Sequence, residues 1–213
     1  LSEKDLLMKE INHRVKNNLM LVRSLISLKA AGAGGDAGAK AESSDLMHQI
    51  DAIRIVHEKL HQEERFTTVS MPGYVGQVVK AVFASGADLG INLQIEVAEV
   101  SLPTKTAVTL GLIVNEIATN AAKHAFDGSH ESEFSLWLWV GAASAPGKRA
   151  LELVLSNTGR PVPEDVSLEN SSGLGLSLVG ELVQQIGGSI ELERSPMTRF
   201  TIRFEATEEA GGE

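Results

Sequence analysis

The sequence predicts an α+β chain in two parts. An N-terminal two-helix hairpin, a four-helix bundle once dimerised, precedes a layered α/β sandwich domain. Three observations predict this. Apolar residues recur at steps of three and four through the first 64 positions. A small, glycine-rich stretch at 31–41 (AGAGGDAGAKA) interrupts that pattern once. Beyond Arg65, alternating strand patterns take turns with helical ones. With 213 residues, 43% of them hydrophobic, each part has enough chain to bury a core.

The first helix is expected over residues 5–29, where Ile11, Val15, Leu19, Val22 and Ile26 form one stripe. Ser2 followed by Asp5 gives it a capping-box start. The second helix, 44–64, carries Leu46, Ile50, Ile53, Val56 and Leu60. One partner helix cannot cover either stripe, so a second copy of the chain is expected to complete a four-helix bundle. Next comes a short helix near Pro72, where proline suits the first turn, and a strand over Ile91–Val97. A long helix spans Thr104–Ala125, with Leu110, Ile113, Val114 and Ile117 as its apolar stripe.

Phe134, Leu136, Leu138 and Val140 alternate with Ser135, Trp137 and Trp139, and Leu151, Leu153 and Leu155 alternate likewise. The turn signal at Ala145-Pro146-Gly147-Lys148 joins these two strands into a hairpin. A helix over 174–186 stops at Gly187-Gly188, and strands Ser189–Arg194 and Thr198–Glu205 flank Ser195-Pro196. The acidic tail from Ala206 reads as frayed. One sheet covered by about three helices is the expected result.

Composition excludes several function classes. A net charge of −9 argues against non-specific nucleic-acid binding, which needs clustered Lys and Arg. With no cysteine there is no disulfide scaffold, thiolate metal site or Cys nucleophile. The longest largely apolar run, Ala107–Val114, is far short of a membrane span, so a cytoplasmic location is expected. The start at Leu1 reads as a piece of something longer.

Four constellations carry candidate chemistry, each with a plain structural reading beside it. His13, in Asn12-His13-Arg14-Val15-Lys16-Asn17-Asn18, lies off the apolar stripe of its helix. An outward imidazole of ordinary pKa is mostly neutral at pH 7 and serves as a nucleophile, or is simply solvated. Glu10, three residues back on that face, is either a proton acceptor or a solvated carboxylate.

In Asn115-Glu116-Ile117-Ala118-Thr119-Asn120-Ala121-Ala122-Lys123-His124, the spacing puts Glu116, Asn120 and Lys123 on one helix face. Carboxylate and amide oxygens suit Mg²⁺, and a neighbouring lysine suits a phosphate; a polar solvent face is the alternative. Ser172-Gly173-Leu174-Gly175 opens a helix, preceded by Asn157-Thr158-Gly159. Such glycines let backbone N–H groups meet an anion, or form ordinary turns. Finally, His57-Glu58-Lys59-Leu60-His61 matches the zinc pattern H-E-x-x-H, but no third ligand follows closely, and a zinc peptidase ranks last.

Together the first three constellations resemble a sensor histidine kinase. The likeness is to the subclass with a His-Arg-x-Lys-Asn phosphoacceptor box, related to the HWE kinases. It covers nearly the whole chain in order, from His13 through Asn115-Glu116-x-x-x-Asn120-Ala121-x-Lys123-His124 and Gly173-x-Gly175 to Thr198-Arg199-Phe200-Thr201. The resemblance implies that residues 1–66 are the dimerisation and histidine-phosphotransfer hairpin. Residues 67–213 would be a catalytic ATP-binding domain of the Bergerat (GHKL) type.

It further implies that His13 is phosphorylated, that Asn120 binds Mg²⁺ with Glu116 near metal and phosphates, and that Lys123 touches phosphate. His124 would lie by the nucleoside, Gly173, Leu174 and Gly175 would cradle phosphates, and Thr201 would sit beneath the adenine. Asp165 to Ser172 would form a short lid, and the hinge around Glu63 to Thr68 would move. The family mostly carries Asp-x-Gly-x-Gly where this chain has Asn157-Thr158-Gly159-Arg160-Pro161. Asn157 still accepts a hydrogen bond from the adenine amino group but loses its charge assistance, about 1 kcal/mol. Pro161 removes an N–H and stiffens the loop.

The implied activity is autophosphorylation of His13 from Mg-ATP, then transfer to an aspartate of a response-regulator receiver domain, in a homodimer. The alternative is a catalytically weak or inactive phosphotransfer scaffold with a degenerate ATP site.

Overall fold

The structure is a computed structural model that describes residues 68–84, 90–126, 132–145, 147–164, 166 and 174–207. The chain divides into two compact units, Leu1–Arg65 and Phe66–Glu213. The helices expected over 5–29 and 44–64, with His13, Glu10 and the H-E-x-x-H pattern, lie outside the described residues.

In the second unit, strand β1 (Thr68–Ser70) leads into helix α1 (Met71–Ala84), followed by β2 (Asn92–Val97), β3 (Ser101–Pro103) and helix α2 (Thr104–His124). Strands β4 (Glu133–Ala145) and β5 (Lys148–Asn157) precede helix α3 (Leu174–Gln185), β6 (Ser189–Glu193) and β7 (Thr198–Thr207). Five strands form one sheet in the order β2-β4-β5-β7-β6. The β2–β4 pair is parallel and the other pairs are antiparallel. A parallel pair needs a crossover, and α2 supplies it.

Alternation decides which side chains enter the core. Phe134, Leu136 and Leu138 on β4, Leu153 and Leu155 on β5, and Phe200 and Ile202 on β7 are buried on one face. Against that side lie the apolar stripes of the helices: Val75, Val79 and Phe83 on α1, Leu110, Ile113 and Ile117 on α2, Val179 and Val183 on α3. Phe83 meets the Phe134 ring at 5.0 Å between centroids. Gly111 lets α1 and α2 approach, because a Cβ there would collide with the Tyr74 hydroxyl. Helix α3 ends in a Schellman turn: Gly188 N–H donates to the Val183 carbonyl and Gly187 N–H to that of Gln184. Gly187 takes the left-handed φ of 68° that this turn requires.

Two points depart from expectation. Ala206 is buried and pairs with Arg149, so β7 runs on to Thr207 where fraying was expected. Thr68, at the end of the expected hinge, pairs with Pro103 in a second, two-stranded sheet formed by β1 and β3, and the rest of that hinge lies outside the described residues. Neither of those strands was anticipated, since three residues are too few to show an alternation. Among the described residues, no helix is long and apolar enough to cross a membrane.

Candidate functional site

One end of the sheet gathers most of the predicted site residues. There Phe134, Asn157 and Thr198 stand side by side on β4, β5 and β7, on the face covered by helices. Asn157 is buried, and its Nδ2 donates to the Thr158 carbonyl at 2.9 Å. Only the amide NH₂ can donate to a carbonyl, so this bond orients the group and turns Oδ1 the other way, as an acceptor.

The loop after β5 is tied to three neighbours. Thr158 exchanges bonds with the Glu133 backbone: its N–H donates to the carbonyl at 3.0 Å, and its Oγ1 accepts from the N–H at 2.9 Å. Arg160 N–H donates to the Ala125 carbonyl at 2.9 Å, just past the end of α2. Val162 N–H reaches Thr198 Oγ1 at 3.4 Å. Gly159 makes the close approach feasible, with φ at 94° and a hypothetical Cβ that would strike the Ala125 carbonyl oxygen.

These ties hold the C-terminal turn of α2, bearing Asn120, Lys123 and His124, at the same end of the sheet as Asn157. Along α2, Glu116 is buried, Asn120 half-buried, and Lys123 and His124 exposed. Partial desolvation holds the Lys123 ammonium below its ordinary value, so a phosphate beside it would favour the protonated form. The amide of neighbouring Asn115 is buried with its Nδ2 unpartnered among the described residues. It opens the matched run Asn115-Glu116-x-x-x-Asn120, which gave it no role of its own.

Gly175 lies in the first turn of α3, where backbone N–H groups lack intrahelical acceptors, whereas Gly173 lies outside the described residues. The same holds for the expected lid at 165–172, apart from Val166. Its carbonyl accepts from Arg194 Nη2 at 2.7 Å, which ties that position to the β6–β7 turn.

One expected member stands apart. Thr201 pairs with Val154 and Glu191 on the sheet face away from the helices, so it cannot lie beneath a base read by Asn157. Thr198, by contrast, pairs directly with Asn157 on the covered face and is 2% exposed. The signal was available in the sequence: Phe200, Ile202 and Phe204 alternate as core, so Thr198 shares their face and Thr201 does not.

The residues present fit a magnesium nucleotide. An amide acceptor of fixed orientation suits an exocyclic amino group, and oxygen ligands at Glu116 and Asn120 suit a hard cation. The close approach at Gly159 keeps the loop after Asn157 against the end of α2.

Residues 10–86 match a family described as histidine kinase, and residues 105–208 match the histidine kinase-, DNA gyrase B- and HSP90-like ATPases. Blue-light-activated histidine kinase 2 of Erythrobacter litoralis is 27% identical over 91% of this chain and 55% of its own length. The sensor histidine kinase PdtaS of Mycolicibacterium smegmatis is 29% identical over 92% of this chain and 38% of its own. The chain thus spans about half the length of these curated relatives, or less. Among solved structures, the histidine kinase domain of an Erythrobacter litoralis blue-light activated histidine kinase superposes with a TM-score of 0.67 at 26% identity. That match covers 92% of this chain and 89% of the other.

Proposed function

We propose that this chain, which belongs to the histidine kinase family, transfers phosphate from Mg-ATP to His13 and then to an aspartate of a response-regulator receiver domain. The observation that carries the reading is the joining of Asn157, Thr198 and the α2 C-terminal turn at one end of the sheet. Bound there, Mg²⁺ and ATP supply an electrophilic phosphoryl group.

Asn157 Oδ1 accepts from the base amino group, and the Thr198 hydroxyl lies beside it. Asn120, with Glu116 one turn earlier, holds the metal, and Lys123 offsets charge on the transferring oxygens. His124 lies toward the nucleoside. The backbone of Leu174 and Gly175 at the start of α3, with Gly173 before them in the sequence, would meet the phosphates. The neutral imidazole of His13 supplies the electron pair for the new N–P bond while the bond to the ADP oxygen breaks, and its ring proton passes to Glu10 or water. Action as a homodimer in the cytoplasm belongs to the same proposal.

Incubation with γ-labelled ATP tests it. Label is expected on the wild-type chain, stable in base and lost in acid, and absent from His13→Gln, which still binds nucleotide. Label surviving that substitution overturns the assignment. Asn157 and Pro161 favour a second reading, a phosphotransfer scaffold with a weakened ATP site; absence of nucleotide binding across the millimolar range would select it.

A further inference from the structure

The sheet face away from the helices carries a feature that the kinase reading does not use. Trp137 on β4, Val154 on β5, Thr201 on β7 and Glu191 on β6 form one row across four strands. An indole and a carboxylate rise at the ends of that row while two short side chains floor it, which leaves a groove of about 370 Å³. Trp139 stacks on Trp137 with ring centroids 6.1 Å apart and planes 4° from parallel. It is 44% exposed, the one large apolar side chain so exposed among the described residues.

We propose that this groove docks an arginine-bearing segment of a partner polypeptide. Indole faces attract a guanidinium electrostatically and stack on its plane. The charge of the face agrees. Among the described residues, Glu96, Glu133, Glu152, Glu191, Glu193 and Glu205 share it with three cations, each already in an ion pair. Arg203 lies between Glu152 at 2.6 Å and Glu191 at 3.0 Å. Arg199 faces Glu193 at 3.7 Å, and Lys148 faces Glu205 at 4.0 Å. Carboxylates are in surplus around an aromatic wall, which suits a cation and repels an anion. Exposed aromatic residues beside a recess are what binding energy concentrates on in protein interfaces.

Trp137 and Trp139 are the chain's two tryptophans, so fluorescence excited selectively at tryptophan, leaving Tyr74 dark, reads this face alone. Titration with hexa-arginine is expected to give a saturable change, and hexa-glutamate none. Any polycation is drawn to a chain of net charge −9, so the deciding variant is Trp139→Ser, which leaves that charge unchanged. It is expected to weaken hexa-arginine binding by about fivefold or more, the share of one cation–aromatic contact, with nucleotide affinity unaltered. Glu191→Gln, at the opposite wall, is expected to weaken it as well. Undiminished binding by both variants means non-specific attraction and overturns the proposal. So does saturable binding of hexa-glutamate, or no saturable response to either peptide.

Discussion

The two faces of one sheet are made from alternate residues of the same strands, yet they have nothing else in common. Toward the helices, Phe134, Leu136, Leu155 and Ile202 are entirely buried. Toward the other side, Trp139, Glu152, Arg203 and Glu191 sit in water, joined by ion pairs that contribute little to stability individually. The covered face supplies rigidity and, at its Asn157 end, a place where backbone, amide and helix terminus converge. On the other face only the larger side chains reach water, since Ser135, Val154, Ser156 and Thr201 between them are buried. Two threonines three residues apart show the consequence: Thr198 stands beside Asn157 on the covered face and Thr201 lines the outer groove. A shift of one position in the pleat changes a residue's task altogether.

Substitution on opposite faces should separate these roles, and the largest contrast is in stability. Phe134→Ala removes a fully buried ring packed on Phe83 and is expected to cost about 3–5 kcal/mol. Trp139→Ala is expected to cost less than about 1 kcal/mol by the same denaturant titration. Comparable losses would erase the distinction between the faces.

Next in size is Gly159→Ala, which combines an unfavourable left-handed φ with a collision against the Ala125 carbonyl. A loss of about 2 kcal/mol or more is expected, together with weaker nucleotide binding in calorimetry. Unchanged binding would mean that the loop and α2 need not be held together.

A smaller effect tests the helix layer. Burial holds the Tyr74 phenol well above its ordinary value of 10.0, and its hydroxyl has no hydrogen-bond partner among the described residues. Below that ordinary value the phenol is neutral in both folded and unfolded chains. Above it the unfolded chain ionises and the folded one does not, so stability falls as pH rises past about 10. Tyr74→Phe should raise stability by about 1 kcal/mol at neutral pH and remove the alkaline loss attributable to this residue, read from melts across pH. Smallest in expected magnitude, Asn157→Asp should tighten nucleotide binding by about 1 kcal/mol, roughly fivefold, as charge assistance returns. Thr201→Val should leave that affinity unchanged.

Much of the layer plan was legible because long elements repeat their signal many times. Helix α2 shows its apolar stripe over five turns, and β4 and β5 alternate through their cores, so their positions and pairing follow from pattern alone. Strands β1 and β3 carry three residues each and exist by pairing with one another, which no local pattern records. The chemical groups of α2 were readable from spacing within one helix. Their attachment to Asn157 through Gly159, Arg160 and Ala125 was not, because it depends on segments separated by more than thirty residues. Thr201 was implied by the resemblance alone, whereas alternation, visible in Phe200, Ile202 and Phe204, puts it on the outer face. The outer groove requires the register of four strands at once, which individual strand patterns do not contain.

The most direct measurement is a ¹H–¹⁵N spectrum of the chain as a magnesium complex of a non-hydrolysable ATP analogue is added. The account predicts that the side-chain amides of Asn120 and Asn157 and the backbone amides of Gly159 and Thr198 shift together, while both indole N–H signals stay in place. Movement of the Trp137 and Trp139 indoles with silence at Asn120 and Asn157 would put the nucleotide on the wrong side of the sheet and contradict it.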